Sequence, residues 1–103
     1  MDHAHAKSDA RHVRLHEKAF VHLERDPRLQ KEALRLLETW LSREDLAGCH
    51  KHLRRWRELL LTKSVPEIRQ CVFGADRDLL QCSPLAVAIS PRERFEVLAS
   101  LHG

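Results

Sequence analysis

The chain predicts an all-α fold: a single-domain helical bundle with three longer helices followed by three short ones. Composition points that way first. Leucine dominates, aromatics are 5% of 103 residues, and only three are glycine, a balance that favours helix over strand. Periodicity is the second sign, because apolar residues recur at alternating spacings of three and four, with no alternating run suited to a strand. Punctuation is the third. Asp26-Pro27, Ser64-Val65-Pro66-Glu67 and Ser90-Pro91-Arg92-Glu93 each carry a capping residue followed by proline, as helix starts do. With 43% hydrophobic and 32% charged residues, the chain can bury one core without staples.

The elements follow in order. Residues 1–7 read as a flexible N-terminal lead, and 8–103 as the single helical domain. Ser8 or Asp9 can cap a first helix reaching about Arg25, with Val13, His16, Phe20 and Leu23 on its inner stripe. Asp26 then caps a second helix with Pro27 at its first position, running to about Ser42. Its inner face is Leu29, Ala33, Leu36, Leu37, Trp40 and Leu41, while Arg28, Glu32 and Arg35 alternate in sign on the solvated side. A third helix starts near Arg43 or, because Gly48 weakens that first turn, near Cys49. Its seam is Leu46, Cys49, Leu53, Trp56 and Leu60. Trp40 and Trp56 are core anchors near the junction of these two helices.

Ser64 and Glu67 form a capping box that opens a short helix with Ile68 and Val72 inside. Phe73-Gly74-Ala75-Asp76 reads as a C-cap glycine followed by a new N-cap, opening a short helix to about Cys82. Leu85 to Ile89 is an apolar run between two Ser-Pro steps, and it reads as a buried connector. The last helix opens at Ser90-Pro91, with Glu93 reaching back to the serine amide and Phe95, Leu98 and Leu101 inward.

The ending Ser83, Pro84, Ala86, Ser90, Pro91, Glu93, Arg94, Phe95, together with Trp40 and Trp56 on the middle helices, resembles that of a loose group of small bacterial helical proteins. Leu85 stands where an aromatic is common in that group, and Ala88 where a glycine is. The resemblance implies an accessory protein encoded beside a toxin-like or nucleotide-transferring partner, hence an antitoxin or regulator.

Charge and composition narrow the function classes. Residues 1–63 hold 14 Lys/Arg and 10 Asp/Glu, whereas 64–103 hold 4 and 5. The basic character therefore belongs to the first half. A net charge of +3 permits nucleic-acid contact but is modest for a dedicated binder. No apolar stretch approaches the roughly 20 residues of a membrane span, and the start has no secretory h-region. A cytoplasmic location with no membrane partner is expected. Arginine outnumbers lysine 13 to 5, in keeping with a GC-rich bacterial genome. Cys49, Cys71 and Cys82 are odd in number and widely spaced, and read as reduced core residues.

Two surfaces are candidates for function. Leu85, Val87 and Ile89, with Arg92 and Arg94 beside them, would anchor a partner if the connector is not wholly buried; core packing is the plainer role for at least two of the three. Lys51, Arg54, Arg55 and Arg57 form a basic face on the third helix that could meet phosphates, although Glu58 interrupts it and a salt-bridged surface is the plainer reading. His12 and His16 share a helix face but lack the third and fourth ligands of a zinc site. Cys49 and His50 are neighbours pointing about 100° apart, not a catalytic pair. Neither a phosphate loop nor a GxSxG motif occurs. The expectation is a non-catalytic protein-binding module without metal or cofactor, a small antitoxin, inhibitor or adaptor. The alternative is a nucleic-acid-binding regulator using the basic face.

Overall fold

The computed structural model describes the backbone of residues 3–102 and the side chains of 10–101. Over these residues the molecule is an all-α bundle with no strand. Five α-helices are joined by 3₁₀ segments: α1 (His3–Arg25), α2 (Arg28–Leu41), α3 (His50–Thr62), α4 (Val65–Val72) and α5 (Pro91–His102). The 3₁₀ segments are Glu44–Cys49, Arg77–Cys82 and Pro84–Ala88.

Local signals fix most helix starts. Asp26 Oδ1 accepts from the Arg28 amide at 3.1 Å, so aspartate caps α2 as its Asp-Pro step predicts. Both predicted capping boxes close. Ser64 N–H donates to Glu67 Oε1 at 3.1 Å, and Ser90 N–H donates to Glu93 Oε1 at 3.2 Å. The return bonds run from the Glu67 and Glu93 amides to the serine hydroxyls at 3.4 and 3.1 Å.

Other starts differ. Helix α1 is continuous back to His3, taking in most of the segment expected as a lead; Met1 and Asp2 lie outside the described residues. Helix α3 takes the later of its two expected starts, because the Glu44–Cys49 stretch winds as 3₁₀. Arg77–Cys82 is also 3₁₀, and the Asp76 side chain does not cap it but pairs with Arg55. The connector, expected as a buried apolar run, is a 3₁₀ turn with Ser83 Oγ accepting from the Leu85 amide at 3.1 Å.

Gly74 does not make the left-handed cap its position suggests, since no described glycine has positive φ. The reason for glycine there is space. A Cβ would stand 2.9 Å from the Gln70 carbonyl oxygen, closer than the backbone can give.

The core gathers Phe20 and Leu23 of α1, Leu37 of α2, Leu53, Trp56 and Leu59 of α3, and Ile68 of α4. Trp56 is fully buried, and its indole Nε1 donates to the Leu79 carbonyl at 2.9 Å. Helices α2 and α3 run antiparallel. Gln30 near the start of α2 donates to the Leu60 carbonyl near the end of α3 at 2.6 Å, while Glu38 pairs with Arg57 further back along it. Segment Pro84–Ala88 packs on both α1 and α2, filling the space between them with Pro84, Leu85 and Ala88.

Candidate partner-binding surface

Helix α5 positions the candidate anchors, and one contact sets its rotation. His22 Nε2 lies 2.7 Å from Glu93 Oε2, with the same carboxylate capping the helix through Ser90. This holds Glu93 toward α1 and depresses its pKa, first through the His22 bond and then through the Ser90 amide. At 100° per residue, Val97 falls one turn later on the same side, and Val97 is buried. Phe95 then lies about 200° from Glu93 and is 71% exposed. The inward position expected for Phe95 is therefore overturned, with Val97 taking its place.

The connector residues need a second correction. Leu85 is 1% exposed and belongs to the core between α1 and α2, so it cannot anchor a partner. Val87 and Ile89 are half-buried and packed against the same core. Arg92 and Arg94 are exposed, and Arg92 reaches Glu96 at 3.4 Å one turn along. The accessible apolar group beside these arginines is thus Phe95, not the connector.

Helices α1 and α5 run antiparallel, joined at Arg14–Ser100 (3.4 Å) and at His22–Glu93. A cleft of about 480 Å³ opens between them, lined by Arg14, Glu17, Lys18 and Val21 on one wall and Glu96, Val97 and Ser100 on the other. Val21 is half-exposed there. Phe95, about 200° from Glu93, is turned away from α1 and does not line this cleft, so the exposed ring and the cleft are separate features of α5.

On the basic face of α3, two of the four cations are spoken for. Arg55 bridges Glu58 at 3.0 Å and Asp76 at 3.1 Å, and Arg57 pairs with Glu38 at 2.5 Å. Lys51 and Arg54 are exposed and have no acidic partner among the described residues. Glu38, Glu58 and Asp76 thus offset part of the positive charge of this face, and Lys51 and Arg54 are what is left to attract phosphates.

The histidines separate. His16 is 6% exposed; its Nδ1 lies 2.7 Å from the His12 carbonyl, its ring stacks on Trp56, and its Nε2 has no hydrogen-bond partner. Burial pushes its pKa down to about 4, so at neutral pH it is an uncharged donor through Nδ1. No group of three or more potential metal ligands assembles among the described residues.

A contact that sequence spacing did not signal joins two cysteines. Cys82 Sγ lies 2.7 Å from Cys49 Sγ, bringing the 3₁₀ segments Glu44–Cys49 and Arg77–Cys82 together at their last residues. Both adjoin an apolar cleft of about 280 Å³, lined also by Trp40, Leu46 and Leu53. No helix among the described residues is long and apolar enough to cross a membrane. No protein-family model matches the chain, nor does any curated protein or solved structure.

Proposed function

We propose that this protein is a non-catalytic binding module, a small antitoxin, inhibitor or adaptor that covers a functional surface of another protein. The observation that carries this reading is Phe95, a phenyl ring exposed on a capped and pinned helix that also exposes Arg92 and Arg94. Aromatic residues, phenylalanine included, and arginine are enriched at protein interfaces relative to the rest of the surface. The helix under the ring is fixed, because the His22–Glu93 contact and the Ser90 box set the rotation of α5, which lowers the backbone ordering cost of binding.

The test is a pull-down from the native host with wild-type protein and the Phe95→Ala variant, each with and without nuclease. One stoichiometric protein should survive nuclease, and Phe95→Ala should weaken its binding by roughly tenfold or more. Recovery dominated by nucleic acid, with strong salt dependence carried by Lys51 and Arg54, would overturn the reading in favour of a nucleic-acid regulator. A protein partner indifferent to Phe95 would remove α5 from the interface.

A further inference from the structure

Cys49 and Cys82 are 33 positions apart in sequence, yet the fold brings their sulfurs to 2.7 Å, inside the ordinary van der Waals separation of two sulfur atoms. A disulfide bond would need the sulfurs to approach by roughly 0.7 Å more, within reach of side-chain rotation. Both residues are half-buried and both line the cleft beside Trp40, so a molecule as small as a peroxide has a path to them. Cys71 lies on α4 and touches neither sulfur in this arrangement.

We infer that Cys49 and Cys82 are a paired oxidation site, closing reversibly to an intramolecular disulfide on exposure to small hydroperoxides. Two steps balance the chemistry. The Cys49 sulfur attacks one peroxide oxygen and the O–O bond breaks, giving a sulfenic acid and, for hydrogen peroxide, one water. The Cys82 sulfur then displaces the sulfenic hydroxyl, which takes up the thiol proton and leaves as a second water while the S–S bond forms. The two thiols lose two electrons, and the peroxide gains them. A dithiol reductant reverses the bond by exchange. Burial, and then the neighbouring Cys49 sulfur, push the Cys82 thiol up to about 11. That leaves Cys49 as the sulfur that attacks first.

Closure would join the segment that leads into α3 to the one that leads into the connector, across a loop of 33 residues. Cross-linking a loop of that length restricts the unfolded chain strongly, and the Tm should rise on the order of 10 °C on oxidation.

The test treats the reduced, folded protein with a small excess of hydrogen peroxide and reads intact mass, peptide map and melting. The expected product is a monomer about 2 Da lighter, with Cys49 and Cys82 in one linked peptide, Cys71 free, and a higher Tm that a dithiol reverses. In Cys82→Ser, a sulfenic-acid trap such as dimedone should label Cys49. Cys71→Ser should still form the bridge. A bridge containing Cys71, a covalent dimer as the main product, or Cys49 driven to sulfinic acid without a bridge would overturn the inference. The wild-type peptide map decides it alone if either serine variant fails to fold.

Discussion

His16 is the one buried side-chain polar group among the described residues that leaves an atom, Nε2, without a partner. Packed against Phe20 and Trp56, its ring stays neutral well below the ordinary histidine range. The unfolded chain takes up a proton near pH 6.5, whereas the folded one does so only near 4. The unfolded state therefore binds more protons between those values, and stability falls as pH drops from 6.5 to 4. The loss should be about 3 kcal/mol across that window and absent above it. In His16→Leu this contribution should vanish, leaving only the fall that the paired carboxylates begin below about pH 5, with stability at pH 7 equal or higher because no polar atom is buried unpaired. Denaturant unfolding of both proteins at pH 7 and 4.5 checks this, and equal pH slopes would refute it. The stripe Val13, His16, Phe20, Leu23 made an inward His16 readable from spacing alone. That Nε2 meets no donor was not readable, because it depends on how α3 and the connector pack beside α1.

Among the elements, α5 shows how one polar contact overrides an apolar pattern. Phe95, Leu98 and Leu101 are spaced as an inner stripe, yet Glu93 fixes the rotation and turns Phe95 out. The partner responsible, His22, lies 71 positions earlier, so no local pattern could have reported it. The capping boxes at Ser64 and Ser90 were legible for the opposite reason: each closes within four residues. Glu93→Ala should destabilise the fold by about 1–2 kcal/mol, losing both the cap and the charged contact to α1. Because its carboxyl titrates below the ordinary range, that contribution is present above about pH 4.5 and is lost as pH falls through the folded value. Glu93→Gln can keep much of the cap and should lose less at neutral pH. Urea unfolding at pH 7 and pH 3 compares the three proteins; an Ala variant as stable as wild type at pH 7 would show that α5 is held by Val97 and Leu101 alone.

At the scale of the molecule, the connector is a structural wedge rather than a docking segment. Leu85→Ala should cost about 3 kcal/mol, because it opens a cavity where α1 and α2 meet Pro84–Ala88. Phe95→Ala should stay within about 0.5 kcal/mol of wild type, since the ring packs on nothing it would leave empty. Thermal melts of the two variants distinguish wedge from surface; equal losses would mean Phe95 is buried in solution. The all-α architecture, the helix order and most core residues were readable because helical periodicity and capping are local. That the α3 face carries salt bridges was readable from Glu58 within it, but two of the partners were not, because Glu38 and Asp76 come from 19 and 21 positions away. Nor was the meeting of Cys49 and Cys82, which depends on where two short 3₁₀ turns end.

The stacking of His16 on Trp56 gives the protein an optical signal of its own. Trp56 is fully enclosed, whereas Trp40 is only partly covered, so two indoles report from different depths. A neutral imidazole beside Trp56 quenches its emission weakly, and an imidazolium there accepts electron density and quenches it well. The fluorescence of a single buried ring thus records the protonation of its neighbour, and with it the first loosening of the core in acid, without any added dye.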